Sequence, residues 1–157
     1  MSELTEGSSA PNISLLADNG NTVSINDFNG QQVVLYFYPK DDTPGCTKEA
    51  IAFTEFLDSF AEQNTVILGV SPDTVAKHEK FKAKHDLRVT LLADEDHALA
   101  EALGVWVEKN MYGRKYMGVE RSTFLIDKTG KIAKIWRKVK VPGHAEAVLE
   151  EAADLNN

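Results

Sequence analysis

The chain has a single cysteine among its 157 residues. A lone thiol cannot close an internal disulfide, so no such cross-link staples the fold, and a reducing compartment such as the cytoplasm is the expected setting. No apolar run approaches a membrane span, the longest being Val33 to Tyr38. The acidic start Met1-Ser2-Glu3-Leu4-Thr5-Glu6 lacks the basic end and apolar core of a signal peptide. Nor is there any block of Lys or Arg: 24 acidic residues against 17 basic ones leave a net charge of -7, which argues against nucleic acid or an anionic membrane as partner. Repeats, low-complexity tracts and internal linkers are missing too. One domain over 1–157 is expected, with residues 1–10 as a loose lead-in.

What the chain does have is a regular alternation of strand and helix signals. Ile13 to Leu16 and Thr22 to Ile25 alternate around Ala17-Asp18-Asn19-Gly20-Asn21, a spacer that suits a β-hairpin turn. Gln31 to Tyr38 reads as a strand buried on both faces. Ala50, Phe53, Leu57 and Phe60 then form the stripe of an amphipathic helix. Thr65 to Val70 reads as a second buried strand, and Ser71-Pro72-Asp73 opens a charged helix running to about His85. Thr90 to Ala93 is a short strand and Asp94 to Leu103 a helix ending at Gly104. Val105 to Gly118 has no clear period and is expected as an aromatic, basic loop, whether a partner-binding surface, the rim of a site, or packed on its own domain. A hairpin, Glu120 to Asp127 and Lys131 to Lys138, and a helix from about Gly143 to Leu155 close the chain. This order predicts an α/β fold with a mixed central β-sheet flanked by helices and an N-terminal β-hairpin extension. With a thiol at the start of the helix after the first buried strand, a thioredoxin-like arrangement is the most economical.

The cysteine lies in Tyr38-Pro39-Lys40-Asp41-Asp42-Thr43-Pro44-Gly45-Cys46-Thr47-Lys48-Glu49. Thr43 is placed to cap a helix, and Pro44 suits its first position, so Gly45 and Cys46 fall in the first turn. Unpaired N–H groups and the helix dipole favour an anion there, and so the thiolate. Gly45 leaves room for a small substrate to approach the backbone. A free cysteine is usually a small buried hydrophobe. Asp41, Asp42, Thr43, Thr47, Lys48 and Glu49 are poor core material, however, and the reading is a reactive nucleophile. Spacing alone leaves its reaction open. His78, His85, His97 and His144 belong to no hydrolase motif and are read as solvated. Asp94-Glu95-Asp96-His97 lacks the spacing and the glycine of a calcium loop, and no metal or cofactor is expected.

Pro39, Thr43 and Cys46 reproduce the pattern P-x-x-x-T-x-x-C of the peroxiredoxins, and FYPKDDTPGCTKEA resembles their bacterioferritin comigratory protein (PrxQ) subfamily. NGQQVVLYFYP, KNMYGRKYMG and VERSTFLIDKTGKI are similar to it as well, so the likeness runs from about Ala10 to the C-terminal helix. It implies a thiol peroxidase acting on hydrogen peroxide and organic (alkyl) hydroperoxides. Cys46 would attack a peroxide oxygen and become a sulfenic acid, Thr43 would offer its hydroxyl to the peroxide, and Pro39 would shield the sulfur from water. Arg121 would donate to sulfur and peroxide with Glu49 orienting it, while the backbone N–H groups of Gly45 and Cys46 complete the pocket. Many members of the subfamily carry a resolving cysteine five residues after the first. Here that position is Ile51. The implied cycle therefore uses one cysteine and an external thiol, from thioredoxin or from glutaredoxin with glutathione, and leaves the sulfenic acid open to overoxidation. A second class stays open: a thioredoxin-like interaction or chaperone module with Cys46 as a redox switch. A thioredoxin-type reductase is disfavoured, because C-x-x-C is missing. With no exposed apolar stripe left over, a monomer or weak dimer is expected.

Overall fold

The computed structural model describes residues 5–156. In chain order its elements are β1 (Leu15–Ala17), β2 (Thr22–Val23), a 3-10 turn (Ile25–Phe28), β3 (Gln32–Phe37), α1 (Pro44–Glu55), α2 (Leu57–Glu62) and β4 (Thr65–Ser71). There follow α3 (Val75–His85), β5 (Thr90–Ala93), α4 (Ala98–Ala102), β6 (Trp106–Met111), β7 (Arg114–Val119), β8 (Ser122–Ile126), β9 (Ile132–Trp136) and α5 (His144–Asn156).

Every residue of β3 is buried, because this strand lies in the interior of the sheet, between β4 and β8, with helices on both faces. It runs parallel to β4, with Tyr36 opposite Gly69, and antiparallel to β8, with Tyr36 opposite Thr123. β5 extends the parallel side, β1 and β2 add an antiparallel hairpin beyond it, and β9 closes the other edge, giving the seven-stranded order β2-β1-β5-β4-β3-β8-β9. Gly69 is required by this register: a Cβ there would lie 2.7 Å from Tyr36 Cζ and 2.9 Å from Leu91 Cδ2. Its bare backbone lets the Tyr36 ring cross β4. On that face Val34, Tyr36, Tyr38 and Ile67 pack with Phe53 of α1, Phe60 of α2, Phe81 of α3 and Val148 of α5. On the other face Val33, Leu35, Phe37 and Phe124 pack with Leu99 and Leu103, at and just after α4. Each such side chain contributes on the order of 1.5–3 kcal/mol by leaving water. The mixed sheet, flanking helices and N-terminal hairpin agree with the sequence reading.

Four local readings change. The helix starts at Pro44, as its capping residues predict, but the stripe from Ala50 to Phe60 does not lie on one helix: α1 breaks at Phe56, so Leu57 and Phe60 sit on a second short helix. Residues expected as a loop over 105–118 form a two-stranded antiparallel hairpin, β6 with β7. Its turn residues Tyr112 and Gly113 have φ of 54° and 77°, the pair of positive values that a tight hairpin turn needs. Residues 7–10 are not loose. Gly7 N–H donates to the Ile132 carbonyl at 2.7 Å and Ala10 N–H to that of Gly130 at 2.9 Å, while residues 1–4 of the expected lead-in lie outside the described residues. Finally, His78 and His144 are buried, 0% and 7% exposed, because each has polar partners in the interior.

Candidate active site

β3 delivers the chain to the C-terminal end of the sheet, where open α/β folds keep their sites. Tyr38 is still buried and Pro39 half-buried, and after a turn at Asp41-Asp42 helix α1 begins at Pro44. Thr43 occupies the N-cap position with extended backbone, φ -96° and ψ 155°, but its side chain caps nothing. The Thr43 hydroxyl instead donates to the Lys40 carbonyl at 2.8 Å, closing the turn on itself.

Cys46, Glu49, Ala50 and Phe53 are the buried positions of α1, spaced by three, one and three residues along one helical face. Of the polar neighbours that argued against burial of Cys46, Asp42 and Lys48 face solvent while Glu49 is buried beside it, and the thiol is only 2% exposed. A glutamate on that stripe needs a partner, and Arg121, immediately before β8, supplies it. Arg121 Nη1 donates to Glu49 Oε1 at 2.6 Å while Nη2 donates to Cys46 Sγ at 3.2 Å. One guanidinium therefore bridges carboxylate and sulfur in a fixed fork. Gly45 makes this approach possible, since a Cβ there would lie 3.2 Å from Arg121 Nη2. The space that the sequence reading gave to a substrate is used by the arginine.

The charges fit this geometry. Burial pushes the Glu49 carboxyl up to about 7, only partly offset by Arg121, and Glu49 Oε2 is buried with no partner. Burial also opposes the Arg121 charge, but Glu49 and Cys46 beside it outweigh that and hold the guanidinium protonated. Lys109 of β6 is lowered by its own burial and then by the like charge of Arg121, with the sulfur of Cys46 acting against both. The β6-β7 hairpin thus carries a cation whose charge interacts with both Arg121 and Cys46. His144 meets Thr123 Oγ1 at 2.8 Å, and burial, followed by the charge of Arg121, pushes it down to about 4. Among the described residues no group of three or more His, Cys, Asp or Glu is placed to hold a metal ion, and no helix is long and apolar enough to cross a membrane.

The structure brings Cys46, Gly45, Glu49 and Arg121 into contact, with Thr43 and Pro39 in the turn that precedes them. What the sequence reading missed is the polar network under that turn, where Asp41 meets His78.

A mixed sheet with a cysteine in the first turn of the helix after its central strand, held by an arginine, defines a thioredoxin-like thiol enzyme. The model of the AhpC/TSA family matches residues 7–135. The chain is 53% identical over 150 residues to the peroxiredoxin Bcp of Bacillus subtilis, covering 96% of each, and 42% identical over 149 residues to that of Escherichia coli, covering 95% and 96%. Among solved structures, the bacterioferritin comigratory protein of Xanthomonas campestris, described for its alkyl peroxide reduction activity, superposes with a TM-score of 0.89 at 43% identity over 92% of each chain. PrxQ of Xylella fastidiosa gives a TM-score of 0.91 at 41% identity over 96% of each. The chain belongs to the peroxiredoxins, the thiol-dependent peroxidases of the AhpC/TSA family, and within them to the Bcp/PrxQ group in a form with one cysteine.

Proposed function

We propose that Cys46 is the peroxidatic nucleophile of this peroxidase and that its substrates are hydrogen peroxide and small alkyl hydroperoxides. The thiolate attacks one peroxide oxygen, the O–O bond breaks, and the alcohol or water leaves after taking up a proton, so that Cys46 becomes a sulfenic acid. Displacement at oxygen needs an anionic sulfur and donors for the charge growing on the leaving oxygen. The observation that carries the reading is the Arg121 fork, one arm on Cys46 Sγ at 3.2 Å and the other on Glu49 at 2.6 Å. Arg121 has N–H groups left for the peroxide, and Gly45 and Cys46 lie in a first helical turn whose N–H groups lack intrahelical partners. Thr43, whose proton is given to Lys40, turns its oxygen lone pairs to the peroxide, and Pro39 keeps water off the sulfur. Stopped-flow mixing with hydrogen peroxide tests this: Cys46 should oxidise orders of magnitude faster than a free thiol, and a rate equal to that of a free thiol sinks the proposal.

With Cys46 the only cysteine, a thiol from outside completes the cycle. Thioredoxin, or glutaredoxin with glutathione, is the reductant, and turnover measured with each in turn separates the two. The enzyme works in the cytoplasm as a monomer or weak dimer. Two expected outcomes follow from the geometry. Gly45→Ala keeps the fold but crowds Arg121 Nη2 by a few tenths of an ångström, and should slow Cys46 oxidation several-fold in the same stopped-flow assay. Excess peroxide without reductant should carry Cys46 on to the sulfinic acid, seen by mass spectrometry, since no second thiol in the chain intercepts the sulfenic acid.

A further inference from the structure

His78 stands in a charged stretch of α3, yet both its ring nitrogens are engaged in the interior. Nε2 lies 2.9 Å from the Leu92 carbonyl oxygen and Nδ1 2.6 Å from Asp41 Oδ2. A carbonyl only accepts, so Nε2 carries a hydrogen. On a neutral ring that leaves Nδ1 with a lone pair facing a carboxylate that has only lone pairs, and a 2.6 Å contact between them requires a second proton. The pair therefore holds one proton that a neutral histidine beside an ionised aspartate does not have. Around it, Tyr38 Oη donates to Asp41 Oδ1 at 2.5 Å, and the Asp41 N–H donates to Asp73 Oδ2 at 2.7 Å, which also accepts from Ser71 Oγ. The neighbouring Asp42, at φ 60°, is held by Lys84 Nζ at 2.7 Å and His85 Nε2 at 2.9 Å. Helix α3 thus grips two successive residues of the turn that leads into α1 and Cys46.

The geometry points to Asp41 and His78 as a positioning pair for the peroxidase site: the proton they share fixes the turn that presents Cys46, and its loss slackens that turn. This rests on the reading of Cys46 as the peroxidatic nucleophile. The groups facing His78 are the Asp41 and Asp73 carboxylates, the Tyr38 phenol and the Leu92 carbonyl. Burial opposes the charge on His78, but the hydrogen bond and charge of Asp41 outweigh it and raise the ring above the usual 6.5. The proton is therefore given up only at a higher pH than an ordinary histidine would lose it. Lys40, Lys77, Lys80 and Lys84 line a cleft of about 390 Å³ over Asp41, Asp42 and Asp73, so the carboxylate side of this network borders solvent. A thiolate nucleophile alone gives a rate that climbs with pH to a plateau. Here an alkaline fall is superimposed on it.

The test is the pH profile of Cys46 oxidation by hydrogen peroxide in the full chain, with thermal melts run alongside. Asp41→Asn can donate its amide N–H to Nδ1 of a neutral His78 and still accept from Tyr38, so it keeps the bonds without the extra proton. Its profile should lose the alkaline fall. His78→Ala should be slower by ~10-fold or more at every pH where its melt shows an intact fold. A wild-type profile without the fall, an Asp41→Asn profile that keeps it, or a folded His78→Ala at the wild-type rate each overturns the positioning role. Should His78→Ala not fold, the wild type against Asp41→Asn decides. A wild type no faster than a free thiol overturns the peroxidase reading and this pair's role together, whereas a fast wild type with unaltered variants removes the pair alone.

Discussion

Cys46→Ser is expected to abolish peroxide reduction while leaving the fold in place. The exchange alters one buried atom in the first turn of α1, and a serine Oγ can accept from Arg121 Nη2 as the sulfur does, so the fork to Glu49 keeps its geometry. What disappears is the nucleophile. A hydroxyl stays protonated at neutral pH and no base is paired with it here, whereas a thiol yields a polarisable anion suited to attack on oxygen. With no other cysteine in the chain, no second thiol can take over. Removing the nucleophile of a covalent enzyme costs about 10⁵-fold or more, so peroxide consumption should fall to the rate in buffer. The rapid signal in stopped-flow fluorescence should vanish with it, Trp106 and Trp136 remaining as reporters of the fold. Turnover above buffer in a correctly folded Cys46→Ser protein would place the chemistry on another residue.

The parts of the molecule legible in the sequence are those whose neighbours along the chain explain them. β3 reads as a central strand because Val33 to Tyr38 is continuously apolar, and α1 declares its start through Thr43 and Pro44. The β6-β7 hairpin was illegible because most of both its faces is exposed, leaving no period of two in the hydrophobic residues; only Tyr112-Gly113 marked the turn. His78 looked solvated for a similar reason. Lys77, Glu79 and Lys80 flank it, and the carboxylate that buries it lies 37 residues away. Burial of Cys46 was masked by polar neighbours, of which the helix turns Lys48 outward but buries Glu49 against Arg121. Arg121 and Glu49, 72 residues apart, have no local signal that joins them, and only the family likeness named them together. Pairs formed across the ends of strands depend on topology, which periodicity within single elements does not carry.

Arg121→Ala carries the second large effect, and it divides into two that can be measured apart. Losing the donor to Cys46 Sγ removes charge stabilisation from sulfur and leaving oxygen, a loss of about 10²–10³-fold in the rate of Cys46 oxidation. The same change strands Glu49, 1% exposed, without its ion-pair partner, and breaking a buried pair costs about 3–5 kcal/mol when the remaining group stays charged. Glu49 escapes by keeping a proton. Burial already pushes its carboxyl up to about 7 against the pull of Arg121, and without the arginine it goes higher still. A carboxyl raised on folding binds more protons folded than unfolded, so its stabilising share is present below the ordinary value near 4.5 and is lost as pH climbs through the raised one. Thermal melts of Arg121→Ala should accordingly drop between about pH 5 and about pH 8 by more than those of the wild type. Adding Glu49→Gln removes the titrating group, and the double variant should lose this pH-dependent drop while oxidising no faster than Arg121→Ala. If the double variant instead recovers the wild-type rate, Arg121 serves only to neutralise Glu49, and the donor that peroxide cleavage needs must come from elsewhere, Lys109 being a cation whose charge interacts with the sulfur.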